Sequence, residues 1–162
     1  AWNNDDDGLM LGSKIADDMH GAAGNDVLKG KKGNDLLFGN AGSDTIRGGK
    51  GDDIITGGAG KDLLYGGLGQ NSFSDEKDGK KDVIVITQDN GKPDLILGLD
   101  KKDQLFIQPK NSENSDESLE ISSAILPSLG DALVISLAGQ GIAYYTGGDL
   151  SINEIGEMVT LL

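Results

Sequence analysis

From Gly21 to Ser74 the chain repeats one nine-residue unit six times with no insertion: GAAGNDVLK, GKKGNDLLF, GNAGSDTIR, GGKGDDIIT, GGAGKDLLY and GGLGQNSFS. Each copy has Gly at its first place (Gly21, Gly30, Gly39, Gly48, Gly57, Gly66) and at its fourth (Gly24, Gly33, Gly42, Gly51, Gly60, Gly69). The sixth place is Asp26, Asp35, Asp44, Asp53 and Asp62 in five copies and Asn71 in the last. The eighth is apolar throughout: Leu28, Leu37, Ile46, Ile55, Leu64 and Phe73. So short a period implies a stacked repeat, because a unit of this size cannot bury its own apolar side chain and must lean on its neighbours.

Each unit reads as a glycine-rich turn followed by three residues of strand character, and strands that short hold only when stacked. Alternate units return on opposite sides, so strands from units two apart pair at about 4.8 Å. The expected fold is all-β: a flattened, right-handed parallel β-roll with turns along both edges, followed by a β-rich C-terminal cap. Glycine in the turns lets carbonyl oxygens converge, and the Asp adds a carboxylate to the same concavity. Such a concavity suits a hard cation. Calcium accepts about six to eight oxygens in irregular geometry, whereas magnesium demands a tight octahedron and keeps its waters.

These units resemble the G-G-x-G-x-D-x-U-x nonapeptides of the RTX (repeats-in-toxin, haemolysin-type) calcium-binding family. The resemblance implies ions between turns two repeats apart. In that arrangement the carbonyls of places two and four and the Asp of one turn face the carbonyls of places one and three and the Asp of the next. Carried over, Ala22, Gly24 and Asp26 join Gly39, Ala41 and Asp44, while Lys31, Gly33 and Asp35 join Gly48, Lys50 and Asp53. Asn40, Gly42 and Asp44 join Gly57, Ala59 and Asp62, and Gly49, Gly51 and Asp53 join Gly66, Leu68 and Asn71. That gives four calcium ions, with room for one or two more at the ends. Ala22, Lys31 and Asn40 depart from the second glycine, but any residue supplies a carbonyl where its backbone can adopt the turn.

The formal charge of −13 agrees with this reading, since the metal-free roll would stack carboxylates in rows along both edges. Each unit orders nine residues yet buries one apolar side chain, so the repeat core alone is too thin to fold. Bound ions, cross-strand hydrogen bonds and a stacked neighbour must supply the rest.

Three segments follow from the text. Residues 1–20 form an acidic lead and a degenerate repeat, GSKIADDMH, in which Asp17 stands at place six as a lower-ranked candidate ligand. Asn3, Asp5, Asp7 and Gly8 imitate an EF-hand start, but Lys14 stands where a bidentate Glu is required, which favours a solvated linker. Residues 21–74 form the calcium-binding roll and 75–162 the cap. Asp78 and Asp82, just past the last turn, are lower-ranked candidates for a terminal site.

In the cap, DVIVI, PDLILGL, QLFI, LEISSAIL, DALVISLAG and GIAYYTG read as strands. LSINEIGEMVTLL reads as a short helix and a last strand, and Asn111 to Ser118 as a polar loop. Alternating Val83, Val85, Leu95, Leu97, Leu105 and Ile107 are expected to cover the open end of the roll. Asp94 to Ile107 resembles a C-terminal segment of type I-secreted RTX proteins, and the hydrophobic C-terminus resembles their uncleaved secretion signal. Ala1 in place of Met suggests a piece of something longer.

Several functions are disfavoured. Cysteine is absent, which removes disulfides, thiolate metal sites and thiol catalysis, and the single histidine, His20, leaves no HExxH site or second imidazole. Asp17, Asp18, Asp75, Glu76 and Asp78 could pair as glycosidase carboxylates, but solvated charge is the simpler reading. An acidic chain with few, scattered aromatics (Trp2, Tyr65, Tyr144, Tyr145) is a poor nucleic-acid ligand, and no apolar run is long enough for a membrane span.

The expected function is therefore a non-enzymatic calcium-binding module, exported by a type I secretion apparatus and folded outside the cell. Two alternatives are a glycan- or polyanion-binding module similar to those of alginate epimerases, and the C-terminal part of a secreted protease or lipase.

Overall fold

A computed structural model describes residues 6–88, 93–108, 119–126, 130–137, 140–145 and 150–162. Trp2, Asn3, Asp5 and the polar loop 111–118 lie outside the described residues. The repeat region forms β1 (Leu9–Leu11), β2 (Asp18–Ala23), β3 (Val27–Lys32), β4 (Leu36–Ala41), β5 (Thr45–Lys50), β6 (Ile54–Ala59), β7 (Leu63–Leu68) and β8 (Ser72–Ser74). Then come β9 (Val83–Thr87), β10 (Asp94–Leu97), β11 (Gln104–Gln108), β12 (Leu119–Leu126), β13 (Gly130–Leu137) and β14 (Gln140–Tyr145). Helix α1 (Ile152–Met158) and β15 (Val159–Leu161) close the chain.

Alternate strands go to opposite sheets, as the period demands. One sheet runs β1-β3-β5-β7-β9-β11-β15 and the other β12-β13-β14-β10-β8-β6-β4-β2. Pairing is parallel except between β12 and β13 and between β13 and β14. Within the repeats partners are eighteen residues apart, as in Leu28 with Ile46 and Leu37 with Ile55.

The place-eight residues make one apolar ladder in each sheet. Met10, Leu28, Ile46, Leu64, Ile84, Leu105 and Val159 are in register across the first sheet. Met19, Leu37, Ile55, Phe73, Ile96 and Tyr145 are in register across the second. Together they form the core of the roll.

Most strands within the repeats are six residues long rather than three. Each continues from places seven to nine through the glycine of place one to place three. The bend comes at places two and four, where φ is positive; Lys31 (φ 82) and Asn40 (φ 78) adopt it without being glycine. Gly58 has no such freedom, for a Cβ there would run into the Asn40 carbonyl two repeats away.

The change of text after Phe73 does not interrupt the strand pairing. β9 adds to β7, β10 to β8 and β11 to β9, all in parallel. The expected inward phase is corrected on the first two of these strands. Ile84, Ile86 and Ile96 are fully buried together with Val85, whereas Val83, Leu95 and Leu97 are only half-buried. Their positions are set by register with Leu64 and Phe73, which puts Ile84 and Ile96 on the ladders. Leu105 and Ile107 do face inward. Helix α1 starts at a capping box in which the Ser151 side chain accepts from the Glu154 N–H and the Glu154 carboxylate accepts from the Ser151 N–H; it buries Ile155 and Met158.

Candidate metal centre

Each turn carries its place-six Asp immediately before a strand, so stacking strands in register also stacks these carboxylates. One row runs Asp26, Asp44, Asp62. The other runs Asp17, Asp35, Asp53, Asn71. All but Asp17 are buried to within 2% of full burial. From the second member of each row onward, Oδ1 accepts the backbone N–H of the row member one coil earlier: Asp26 N to Asp44 at 2.7 Å, Asp44 N to Asp62 at 2.8 Å, and Asp35 N to Asp53 at 2.9 Å. The Asn71 step is the longest of these, with Asp53 N donating to its Oδ1 at 3.2 Å.

The second oxygen is left over. Oδ2 of Asp26, Asp35, Asp44, Asp53 and Asp62 is buried without a hydrogen-bond partner. It lies beneath the place-one glycine of its own repeat: a Cβ on Gly21 would come within 2.6 Å of Asp26 Oδ2, and one on Gly57 within 2.6 Å of Asp62 Oδ2. Place one is thus glycine because the carboxylate occupies the space a side chain would take. Burial pushes the Asp53 carboxyl up to about 6 and the Asp62 carboxyl up to about 7, against the hydrogen bonds they accept and with repulsion from neighbouring aspartates added. Asp35 and Asp44 are raised for the same reasons. A row of buried, partnerless anionic oxygens calls for positive charge.

The backbone brings further oxygens to the same levels. The Asn40 and Gly42 carbonyls approach the next turn at Gly58 and Gly60, while the Gly57 carbonyl points back at Gly39 and that of Ala59 accepts the Gly42 N–H at 2.9 Å. On the other edge Lys31 and Gly33 face Gly49 and Gly51, the Gly48 carbonyl faces Gly30, and Lys50 accepts from Gly33 at 2.9 Å. Gly49 and Gly51 face Gly67 and Gly69, the Gly66 carbonyl faces Gly48, and Leu68 accepts from Gly51 at 2.9 Å. In the first pair of turns Gly24 faces Gly42 and the Gly39 carbonyl faces Gly21; Ala22 and Ala41 are register neighbours of Asn40 and Ala59. The donor set is all oxygen, hard and irregular, which fits calcium.

Among the lower-ranked candidates, Asp17 is half-buried and continues the second row, its N–H donating to Asp35 Oδ1 at 2.9 Å and its Oδ2 accepting from Ser13 at 2.6 Å. Asp78 is exposed and caps its own loop, accepting from Gly60 and Lys80. Asp82 is buried and extends the first row, accepting the Asp62 N–H at 2.7 Å.

Sequence reading missed two further members. Asp103 accepts from Asp82 at 3.0 Å, and Asp94 accepts from Asn71 at 2.7 Å. The spacing grows from 18 residues to 20, 21 and 23 along these steps, so a fixed nine-residue frame loses them; the signal that survives is an Asp at or just before the start of β9, β10 and β11. Asp75 was also missed as a ligand, and it is buried beside Asp62 and Asp82. The other carboxylates weighed as a glycosidase pair are not brought together with it. Asp18 lies on β2, three strands from β8, and pairs with His20 at 2.9 Å, while Glu76 and Asp78 are exposed. His20 stacks on Phe38 at 4.6 Å.

No helix of the described residues is long and apolar enough to cross a membrane. The model of the RTX calcium-binding nonapeptide repeat matches residues 11–46, 20–55 and 38–73. No curated protein matches the sequence. Among solved structures, the AlgE6R3 subunit of the Azotobacter vinelandii mannuronan C5-epimerase is similar over 92% of this chain and 80% of its own, at 24% identity and a TM-score of 0.51, a likeness of fold. Residues 11–73 are RTX calcium-binding nonapeptide repeats, and the chain is a calcium-binding β-roll module.

Proposed function

We propose that the roll holds its calcium between turns two repeats apart, in the four ligand sets read from the repeats. The observation that carries this is the pair of rows of buried carboxylates whose Oδ2 atoms have no partner. When bound, calcium supplies two positive charges and accepts about six to eight oxygens. The chain does the rest. Oδ1 of each row member fixes the backbone of the preceding coil, Oδ2 stays available, and the place-one glycine keeps the space around it clear.

The same arrangement makes the module a folding switch. Without cations the rows repel and resist closure, which suits a chain that must thread an exporter as an open polymer. In millimolar extracellular calcium the rows close and the ladders stack, in the affinity range of extracellular modules. Export by a type I apparatus, an extracellular location and a non-catalytic role in stabilising a larger protein complete the reading. The glycan-binding alternative draws only on the fold of its structural neighbour and is not favoured.

Equilibrium dialysis of the chain against calcium tests the assignment. Uptake of several ions at millimolar calcium is expected, falling when Asp44 and Asp53 are both replaced by Asn; no uptake would overturn it.

A further inference from the structure

Place one of the repeat is glycine six times; in five copies the missing side chain leaves room for the place-six carboxylate, and in the sixth for the Asn71 carboxamide. The unit that follows the sixth repeat breaks that rule. It begins at Asp75, directly after β8, and puts a carboxylate where the preceding coils have none. Asp75 is 8% exposed, and its Oδ1 accepts the Gly58 N–H at 2.9 Å. A Cβ on Gly57 would lie 2.6 Å from both Asp75 Oδ1 and Asp62 Oδ2, so the two side chains enter one space. The third wall is Asp82, 1% exposed, whose Oδ1 accepts the Asp62 N–H at 2.7 Å.

Ligand oxygens of Asp62, Asp75 and Asp82 all lie within 4.8 Å of one another. Oδ2 of Asp62 and Oδ2 of Asp75 are buried with no hydrogen-bond partner. Each repeat level brings two side-chain ligands to an ion; this level brings three. Three carboxylates crowded out of water are costly unless a cation joins them.

We infer that Asp62, Asp75 and Asp82 form a separate, carboxylate-rich calcium site, the tightest in the molecule, at the junction between the repeats and the strands that follow. The inference rests on the calcium reading of the repeats and goes beyond it, because Asp75 belongs to no nonapeptide. All-oxygen donors without His or Cys favour a hard cation, and a higher ligand charge count favours tighter binding. Its placement gives it a role. Asp62 precedes β7 and Asp82 precedes β9, which pair from Leu63 with Val83, so an ion here clamps the first post-repeat strand onto the roll.

The test is calorimetric calcium titration of the full chain, with bound ions counted by native mass spectrometry, for wild type, Asp75→Asn, Asp75→Gly and the exposed control Asp52→Asn. Asp75→Gly restores the residue the repeats place there, so it removes the carboxylate where glycine is the rule. Both Asp75 variants should lose one ion from the tight end of the titration, or weaken the tightest class by about tenfold or more. The control should leave that class unchanged. Wild-type binding with Asp75 variants of equal count and equal affinities would overturn this site and leave the repeat sites standing. A wild-type chain that takes up no calcium would overturn both.

Discussion

In the proposed arrangement Asp44 serves two ligand sets, one with Asp26 and one with Asp62, whereas Asp26 serves one. Its Oδ1 also holds the Asp26 N–H. Asp44→Ala should therefore cost on the order of 3 kcal/mol in calcium-loaded stability, and Asp26→Ala clearly less, read from thermal midpoints at saturating calcium. Equal losses would contradict the shared use of the middle carboxylate. The raised carboxyls give a second expectation, for the calcium-free chain. An acid whose folded pKa lies above its unfolded value binds its proton more tightly when folded, so its penalty is full above the folded pKa and fades as pH falls toward the unfolded one. With Asp53 near 6 and Asp62 near 7, sheet content in chelator should rise between about pH 7.5 and 4.5 by circular dichroism. A fall over that range would contradict the burial of these groups.

A strand of the roll contributes one ladder side chain and one turn, and neighbouring residues on it have opposite fates. On β6, Ile55 is 0% exposed and Ile54 is 45% exposed. Ile55→Ala should cost about 2–5 kcal/mol and Ile54→Ala under about 0.5, measured as shifts in calcium-loaded thermal stability. Losses of similar size would mean that the stacking register is wrong. Place eight was legible in the sequence because the period never slips between Leu28 and Phe73. Past Phe73 the loops lengthen, and alternation alone chose the wrong inward residues at Val83, Leu95 and Leu97. What settles the phase there is pairing to Leu64 and Phe73, a long-range constraint that no local pattern encodes. Strand length was under-read because glycine at place one looks like turn text, yet strand pairing continues through it and past the bend at place two to place three.

At the scale of the molecule, two sheets, parallel apart from β12 to β14, share one thin core and two carboxylate rows, and the same stacking creates both. The aspartates of the repeats could be found by counting. Asp94 and Asp103 could not, and Asp75 becomes a candidate only once the fold places it beside Asp62 and Asp82. A roll with these rows should close only when cations neutralise them, which far-ultraviolet circular dichroism of the whole chain at neutral pH, in chelator and in millimolar calcium, can show. A largely unfolded spectrum in chelator and a cooperative rise of sheet with calcium are expected. Equal sheet content and equal thermal midpoints in the two conditions would contradict it.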